Sequence, residues 1–288
     1  MELERTESCC KINLFLRVTG RRADNYHTLE TLFFPLAVPS DTLEADFSAA
    51  PGIVLTADSP QVPTDAHNLV YRAAARYAEV SGVSPCWRFA LTKRVPVAAG
   101  LGGGSADAAA ALRILEGRFG ALGEEKLKCV ALELGADVPF FLDPRPAAAR
   151  GVGEELEFAA VGADVPILLV NPGFPVSAKW AYRQFDLHGA DASGGTLDGV
   201  REGLKNGDLE QLARHVRNDL APALWRKFPV LSLIREELTA RGALAVEVSG
   251  SGSTLFAIMP DRAAARRAAA ELNERHPRYL SIAAEDLR

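Results

Sequence analysis

The sequence has few cysteines. Only four occur in 288 residues, at Cys9, Cys10, Cys86 and Cys129, and none is part of a Cys-x-x-Cys pair or of a cysteine/histidine spacing typical of zinc sites. In a chain of this length they are more simply explained as small buried hydrophobic residues. We therefore expect neither a metal-thiolate site nor structural disulfides.

An excess of positive charge is also absent. Lys and Arg number 32 against 37 Asp and Glu, which gives a formal net charge of −5, and the basic residues are scattered along the chain. Proteins that bind a nucleic acid backbone usually gather such residues into a patch or stripe. The composition argues against nucleic acid as a partner and leaves a small anionic ligand open.

Long apolar segments are missing too. The first ten residues, MELERTESCC, lack the basic region and the apolar stretch of a secretory signal. The uncharged run from 95 to 106 is interrupted by four glycines and a serine, and nothing approaches the roughly 18–20 apolar residues of a membrane span. We expect a cytoplasmic protein with no membrane partner.

The residues that are present can form a large core, since 48% are hydrophobic and 24% are charged. Apolar residues alternate along 11–18, which predicts a strand with Lys11 and Asn13 on one face, and 28–34 is a second extended segment. Apolar residues at helical spacing predict helices over 68–81 and 124–134. The pattern as a whole predicts an α+β fold.

Glycines and acidic residues near 151–164 mark the best domain boundary, because a buried-looking strand, 165–170, follows them. We therefore predict two lobes, 1–158 and 159–288. The later elements predicted for the second lobe are a helix over 229–240, strands at 243–248 and 255–259, a helix from 261 to about 274 and a strand at 279–283. Together with 165–170, this order is typical of a ferredoxin-like, split βαβ domain with helical insertions.

The sharpest local feature is the glycine-rich loop PVAAGLGGGSADAA, residues 96–109. Glycines let the backbone approach a ligand, and the helix predicted over 105–119 would offer its free N–H groups and its dipole to an anion. We expect this loop to bind phosphate through Pro96, Val97, Ala98, Ala99, Gly100, Leu101, Gly102, Gly103, Gly104, Ser105 and Ala106. The alternative is a flexible helix entry, although a plain N-cap needs one special residue rather than four glycines.

Known glycine-rich phosphate motifs do not fit this loop fully. It has no Lys-Ser/Thr ending, so it is not a Walker A loop, and it lacks the third glycine of a dinucleotide fingerprint. A second glycine loop, SGSGST at 249–254, joins two of the predicted strands and could be only a polar turn. Beside the first loop it becomes a candidate second wall for a phosphate chain.

Six segments occur in the order found in the GHMP kinase superfamily, which the sequence resembles from about Lys11 to Met259. They are KINL at 11–14, DNYH at 24–27, the loop 96–109, GADVPFF at 135–141, NPG at 171–173 and SGSG at 249–252. The resemblance implies a two-lobed GHMP kinase-like fold, with a ferredoxin-like C-terminal lobe, that binds ATP and Mg²⁺. We expect a monomer or a homodimer. The sequence does not identify the residues that bind Mg²⁺.

The KINL, Tyr-His and GADVP segments together point to members that act on a cytidine diphosphate derivative of methylerythritol. The resemblance then implies phosphorylation of its 2-hydroxyl in the non-mevalonate route to isoprenoid precursors. Asp137 would accept the hydroxyl proton, and Lys11 would keep that carboxylate ionised and orient the hydroxyl. Without the resemblance, Asp137 is an ordinary residue at a helix exit and Lys11 a solvated strand lysine.

The resemblance also assigns binding residues. Tyr26 and His27 would pack on and hydrogen-bond the cytosine, with Asn13 on the substrate side. Asn68 and Lys93 would lie near the adenine of ATP, although Asn68 could simply cap a helix and Lys93 could simply be solvated. Ser105 would touch a phosphate oxygen or Mg²⁺, and it could also be a helix N-cap.

Three positions depart from the family pattern: the Cys9-Cys10 pair, Asn25 in place of a glycine, and Ala178 in place of a threonine. Asn25 is a mild change because Asn tolerates left-handed backbone better than most residues. Two other readings stay open, a mevalonate or homoserine kinase-like enzyme on the same fold and a nucleotide-binding protein without turnover. The first is disfavoured because its substrates have no base to stack, the second because Lys11 and Asp137 are both retained.

Overall fold

The structure is a computed structural model and describes residues 3–48, 50–189 and 194–287. Its contacts divide the chain into two compact units, neither of which is continuous in sequence. Unit 1 comprises the residues up to Cys10 together with Pro39–Val97 and Gly102–Pro144, and unit 2 comprises Lys11–Val38, Ala98–Leu101 and the residues from Arg145 onward. The first two strands and the glycine loop therefore each contribute residues to both units.

Strands and helices account for most of the described residues. The strands are β1 (Leu3–Arg21), β2 (His27–Asp46), β3 (Gly52–Ala57), β4 (Cys86–Thr92), β5 (Ala147–Arg150), β6 (Glu155–Phe158), β7 (Ile167–Asn171), β8 (Arg217–Asn218), β9 (Ala245–Val248), β10 (Leu255–Ile258) and β11 (Leu280–Ala284). The helices are α1 (Leu69–Ser81), α2 (Gly103–Phe119), α3 (Glu124–Leu134), α4 (Ala178–His188), α5 (Leu197–Asn206), α6 (Leu209–His215), α7 (Ala221–Lys227), α8 (Pro229–Ala240) and α9 (Arg262–Arg275), with a 3₁₀ turn at Pro139–Leu142.

Unit 1 contains three helices, the strands β3 and β4, and part of β2. β3 pairs in parallel with β4, and β4 pairs antiparallel with residues 42–46 of β2. Helices α1 and α2 lie against each other, and α3 contacts both. The centre of this core is Trp87, whose ring lies 6.2 Å from that of Tyr77 and 5.7 Å from that of Phe119.

The strands of unit 2 form two groups. In the first group, residues 15–16 of β1 pair in parallel with β8, residues 31–33 of β2 pair antiparallel with β5, and β5 pairs with β6; these strands belong to the same seven-stranded sheet as β3 and β4. The second sheet has the order β11-β7-β10-β9, and every neighbouring pair is antiparallel. If these four strands are numbered 1 to 4 in chain order, their order in the sheet is 4-1-3-2. Helices α8 and α9 share one hydrophobic core with this sheet. The predicted ferredoxin-like arrangement is confirmed.

Most predicted elements lie close to the observed ones. The predicted strands at 11–18 and 28–34 are parts of the much longer β1 and β2, and the predicted helices at 124–134 and 229–240 have the observed bounds. The helix predicted to start at Ser105 begins two residues earlier, at Gly103. The lobes 1–158 and 159–288 stay a prediction. The two compact units do not test them, because each unit consists of several separate segments of the chain and no single boundary divides them.

Among the helices of the described ranges, none combines the length and the apolar character needed to cross a bilayer.

Truncating Trp87 tests the core of unit 1. Trp87 is 1% exposed, so Trp87→Ala leaves a cavity and should lower the free energy of unfolding by about 3–5 kcal/mol. Val54→Ala, on the neighbouring strand β3, is the control, since Val54 is 42% exposed and its truncation should cost less than about 0.5 kcal/mol. Urea unfolding followed by circular dichroism measures both, and equal costs would contradict this placement of the core.

Candidate active site

The glycine-rich loop between β4 and α2 has an unusual backbone. Ala98, Gly100 and Gly102 have φ angles of 52°, 81° and 71°, in the left-handed region that residues other than glycine rarely adopt. The loop residues Ala98–Leu101 belong to unit 2, whereas Pro96, Val97 and the residues from Gly102 to Ala106 belong to unit 1. Alternate residues are thus left-handed through the middle of the loop.

Four consecutive carbonyl groups hold the middle of this loop within unit 2. The carbonyl of Ala98 accepts the N–H of Val176 at 3.1 Å, and that of Ala99 accepts the N–H of Thr254 at 3.2 Å. The carbonyl of Gly100 accepts the Ser249 hydroxyl at 2.9 Å, and the carbonyl of Leu101 accepts the N–H of Lys11 at 2.9 Å. Every carbonyl from 98 to 101 is therefore satisfied by a distant part of the chain.

The second glycine loop is one source of these donors. Ser249 and Thr254, at its two ends, bond Gly100 and Ala99, so the structure brings the two glycine loops of the sequence into direct contact. A Cβ atom added at Gly100 would lie 2.0 Å from the carbonyl oxygen of Ser249. Gly100 is required by this close approach as well as by its φ angle.

Asn218 shapes the second glycine loop from β8. Its side-chain amide donates to the carbonyls of Val248 and Gly250, each at 2.7 Å, and the side chain is buried. Sequence analysis missed this residue, because nothing near position 218 marks it as different from a surface asparagine.

The start of α2 carries no capping side chain. The N-cap is Gly102, and the first intrahelical bond runs from the N–H of Ala106 to the carbonyl of Gly102. The alternative role of Ser105 as N-cap is therefore wrong: Ser105 lies in the first turn. An uncapped helix start presents N–H groups and the positive end of the helix dipole, which is the arrangement that binds a phosphate group.

Lys93 is buried, so the alternative of a solvated lysine is wrong. Its Nζ donates to Asp41 and, at 2.7 Å, to Oδ2 of Asp107; the three side chains are 8%, 0% and 3% exposed. The other oxygen of Asp41 accepts the N–H groups of Arg94 and Val95 at 2.6 and 2.8 Å. Asp41 and Asp107 were not among the residues that sequence analysis selected.

This ion cluster changes the acidity of its members. Burial alone would lower the pKa of Lys93, but the charges and hydrogen bonds of Asp107 and Asp41 together outweigh it, and the pKa is raised. Burial raises the pKa of Asp107 to about 6 and outweighs the opposing charge of Lys93; the charge of Asp41 adds a smaller upward contribution. Hydrogen bonds from the side chains of Lys93 and Ser8 act in the opposite direction and lower this pKa.

Asn68 caps α1, as the alternative reading held. Its Oδ1 accepts the N–H of Val70 at 2.8 Å, and its Nδ2 donates to the carbonyl of Pro63 at 2.7 Å. Both ends of the amide are thus engaged within unit 1, and contact with adenine stays a prediction.

Lys11 and Asn13 form a buried polar chain on β1. The Nζ of Lys11 donates to Oδ1 of Asn13 at 2.7 Å, and Nδ2 of Asn13 donates to the Thr31 hydroxyl at 2.8 Å. Lys11 and Asn13 are 5% and 2% exposed, so the alternative of a solvated strand lysine is wrong. The ammonium also lies 5.1 Å from the centre of the Phe33 ring, a cation–π distance.

Asp137 lies in unit 1, in the turn between α3 and the 3₁₀ turn at 139–142. It is half-buried, and the N–H of Val138 bonds the carbonyl of Gly135 at 3.0 Å, which closes the turn. Lys11 belongs to unit 2. The structure thus gives each predicted catalytic residue a defined local setting in its own unit.

The two residues of the Tyr-His pair differ in their surroundings. Tyr26 is 63% exposed, whereas the ring of His27 stacks on that of Tyr182 at 4.8 Å and 18°. The Nε2 of His27 lies 2.7 Å from Oδ1 of Asp186, which also pairs with Arg21. Tyr182 and Asp186 lie on α4, which sequence analysis did not predict. The region that it left without a role, 186–199, includes residues 190–193, which lie outside the described residues.

The positions that depart from the family pattern lie in three different local structures. Asn25 has a φ of 71°, so a residue that tolerates left-handed backbone is required there, as expected. Cys9 and Cys10 are buried, and burial raises the pKa of Cys9 to about 11, which disfavours the reactive thiolate. Ala178 is the first residue of α4, whose N-cap is Ser177.

A metal ion is one of the groups that the resemblance implies. Within the described ranges no group of three or more His, Cys, Asp or Glu side chains is arranged to hold a metal ion. A Mg²⁺ ion that keeps several water ligands and binds through phosphate oxygens needs few protein ligands. The uncapped start of α2 and the hydroxyl of Ser105 in its first turn are compatible with such a nucleotide-borne ion.

Comparisons with known proteins place these features in a family. Residues 68–143 match the GHMP kinases N terminal domain, and residues 200–278 match the GHMP kinases C terminal domain. The 4-diphosphocytidyl-2-C-methyl-D-erythritol kinase of Methylobacterium radiotolerans is 44% identical, over 93% of this chain and 93% of that protein. A protein of the same name from Geobacter sp. (strain M21) is 36% identical, over 92% of each chain.

A solved structure agrees with these relatives. The crystal structure of a 4-(cytidine 5'-diphospho)-2C-methyl-D-erythritol kinase is 36% identical to this chain and superposes with a TM-score of 0.80. The match covers 96% of this chain and 98% of that one.

Substituting Gly100 tests the contact between the glycine loops. Gly100→Ala places a Cβ 2.0 Å from a backbone oxygen and should cost far more stability than the left-handed strain of about 1–2 kcal/mol alone. Gly82→Ala is the matched control, because Gly82 has a φ of 74° and open space around it. Thermal unfolding compares the two, and equal losses would mean that the loops do not touch.

The ionisation of Asp107 predicts a pH dependence of stability. A carboxyl whose pKa rises from 3.8 to about 6 on folding destabilises the fold as pH increases through that range. Between pH 4 and 7 the wild type should therefore lose up to about 3 kcal/mol relative to Asp107→Asn. Urea unfolding at each pH measures the difference, and a flat difference would contradict the raised pKa.

Asp58→Asn is a control for which the pH dependence of the unfolding free energy should have the opposite sign. The Lys93 N–H and the Arg94 side chain hydrogen-bond Asp58 and lower its pKa, so its contribution is present at higher pH and lost as pH falls. Its difference curve should slope the other way.

Proposed function

Since the chain belongs to the GHMP kinases and, within them, to the 4-diphosphocytidyl-2-C-methyl-D-erythritol kinases, we propose that it phosphorylates the 2-hydroxyl of 4-diphosphocytidyl-2-C-methyl-D-erythritol with ATP, giving the 2-phosphate and ADP. The GHMP kinase fold predicted from the sequence is confirmed, and so is the enzyme class: a phosphotransferase of isoprenoid synthesis. The substrate, the products and the roles of individual residues are the proposal.

The uncapped start of α2 carries this proposal. Three left-handed residues lead into a helix whose first N–H groups no side chain caps. Phosphoryl transfer needs positioning and charge stabilisation more than covalent chemistry, and aligned backbone N–H groups supply both to a triphosphate. Residues 96–106 are accordingly assigned to ATP.

A Mg²⁺ ion bound with the phosphates of ATP would supply positive charge for phosphoryl transfer. The hydroxyl of Ser105, in the first turn of α2, is the candidate protein oxygen for the ion or for a phosphate. Lys93 and Asn68 are assigned to the adenine end by resemblance alone.

Asp137 is assigned as the general base and Lys11 as the residue that orients the hydroxyl and stabilises charge. A base at Asp137 would accept the proton of the 2-hydroxyl as its oxygen attacks the γ-phosphorus. The hydrogen bond from Lys11 to Asn13 supports the second role, because it fixes the ammonium of a long, flexible side chain inside unit 2. A fixed buried charge stabilises its target more strongly than a mobile solvated one.

The cytidine is assigned to Tyr26, His27 and Asn13. Tyr26 offers an exposed aromatic face for stacking. The bond between Nε2 of His27 and Asp186 holds the imidazole in one orientation and leaves Nδ1 as the ring atom for a base edge. Mevalonate and homoserine contain no base, so an enzyme for either would have no use for this arrangement.

The predicted lobes, 1–158 and 159–288, are also part of the proposal. Support comes from the family matches, since 68–143 falls inside the first lobe and 200–278 inside the second.

Replacing Asp137 tests the function directly. Asp137→Asn should lower kcat by roughly 10²–10⁴-fold, the contribution of a general base, and leave ATP binding intact. ADP release is measured with 4-diphosphocytidyl-2-C-methyl-D-erythritol, mevalonate or homoserine as acceptor. The wild type should turn over the cytidyl substrate only.

Asp143→Asn is the matched control, because Asp143 is an exposed carboxylate six residues further along in the same unit. It should keep wild-type turnover. Turnover with a different acceptor would refute the assignment of Tyr26 and His27, and absence of turnover with all three would favour a binding protein.

A further inference from the structure

The buried ion cluster of Asp41, Lys93 and Asp107 lies at the base of the glycine loop. Its members come from three elements of unit 1: Asp41 from β2, Lys93 from the segment just after β4, and Asp107 from the second turn of α2. All three side chains are less than 10% exposed. Sequence patterns and family resemblance assign no function to the two carboxylates.

The cluster holds both flanks of the loop. On the entry side, Asp41 accepts the N–H groups of Arg94 and Val95, directly before Pro96. On the exit side, Asp107 anchors α2 one turn after its start at Gly103. Lys93 bonds to both carboxylates and so joins the two sides.

The helix start packs directly on this cluster. A Cβ atom added at Gly103 would lie 3.0 Å from Cγ1 of Val95 and 3.4 Å from Nζ of Lys93. A side chain at Gly103 would thus crowd Val95 first and the ammonium group of Lys93 next. A shift of Lys93 would move the N–H groups that the proposed function assigns to phosphate.

The ammonium of Lys93 has little capacity left for a ligand. Two of its three N–H groups are used by Asp41 and Asp107, and the side chain is 8% exposed. Two carboxylates facing one ammonium also leave the cluster without net positive charge when both are ionised. Direct attraction of a phosphate is therefore not what this lysine is arranged to provide.

We propose that Asp41, Lys93 and Asp107 act as a clamp that sets the spacing between the two flanks of the glycine loop. Lys93 is then a positioning residue that determines nucleotide affinity through the loop, without touching the nucleotide. In this respect the proposal replaces the assignment of Lys93 to the adenine end, because Asp41 and Asp107 already engage its ammonium group. This inference rests on the proposed assignment of residues 96–106 to ATP.

Two substitutions at Asp107 test the clamp. Asp107→Leu removes the charge and both acceptors but leaves Lys93 paired with Asp41, so no unpaired charge is buried. It should weaken ADP binding by roughly 10- to 100-fold, the order expected when binding groups shift by about 1 Å. Asp107→Asn keeps an acceptor for Lys93 and should restore most of the affinity.

Isothermal titration calorimetry with Mg·ADP, well below the unfolding temperature, measures the dissociation constant. The KM for the alcohol acceptor should stay at its wild-type value. A cluster that serves only stability would lower the melting temperature of Asp107→Leu and leave the dissociation constant unchanged, which would overturn the proposal.

A double-mutant cycle with Lys93→Met separates the clamp from direct contact. If Lys93 acts through Asp107, the double variant should bind ADP about as weakly as the weaker single variant. If Lys93 touches the nucleotide, the two losses should multiply, which would refute its positioning role. Should Lys93→Met not fold, the two Asp107 variants still decide the question.

Arg94→Met is the matched control. Arg94 is the next residue and forms an exposed ion pair with Asp58 at 2.9 Å, with side chains 63% and 40% exposed. Its loss should leave the dissociation constant for Mg·ADP unchanged. If the wild-type protein does not bind Mg·ADP at all, the proposed function is refuted. If the wild type binds Mg·ADP and Asp107→Leu binds it with the same dissociation constant, only the clamp is refuted.

Discussion

Satisfaction of the backbone carbonyls between Ala98 and Leu101 is the constraint on which the candidate site depends. A carbonyl that is shielded from water and left unpaired costs free energy comparable to a lost hydrogen bond. The four carbonyls of this segment all have donors from distant parts of unit 2: Ser249 and Thr254 from the second glycine loop, Val176 and Lys11 from elsewhere. Because these donors fix the carbonyls, the peptide planes, and with them the left-handed residues, have little freedom.

This constraint explains the composition of the loop. A side chain at Gly100 would collide with the backbone of the second glycine loop, and one at Gly103 would press on Val95 and Lys93. Glycine therefore allows close packing against backbone at Gly100 and against side chains at Gly103, in addition to any approach by a ligand. The phosphate-binding potential of the loop and its packing both follow from the absence of a Cβ atom.

The flanks of the loop are held by a different force from its middle. Hydrogen bonds to carbonyls are neutral and directional, whereas the ion cluster of Asp41, Lys93 and Asp107 buries three ionisable groups, at a substantial desolvation cost. Apolar residues of similar volume would often be at least as stable. They could not, however, accept the N–H groups of Arg94 and Val95, as Asp41 does.

Local features of the fold were predictable from the sequence. α1 is bounded by Asn68 and Gly82, and α3 ends at Gly135, because caps and helical spacing are written in neighbouring residues. The glycine loop was predictable for the same reason. Asp107 left a weaker signal, as a lone charge in the alanine-rich buried face of α2, and it was overlooked.

Long-range contacts were not predictable from spacing. Ser249 bonds a residue 149 positions away, and His27 meets Asp186 across 159 positions. No local pattern encodes such pairings, since the three-dimensional path of the chain determines them. The resemblance supplied His27 as a site residue but not the partners that orient it.

In the proposed function, donor and acceptor recognition thus rest on different kinds of structure. The proposed phosphate loop is fixed by backbone hydrogen bonds and buried charges, which tolerate few substitutions. The proposed cytosine site consists of an exposed Tyr26 and of His27, oriented by Tyr182 and Asp186 on α4. Such side-chain contacts can be exchanged without disturbing a core, so a shared kinase fold can change its acceptor while keeping its phosphate loop.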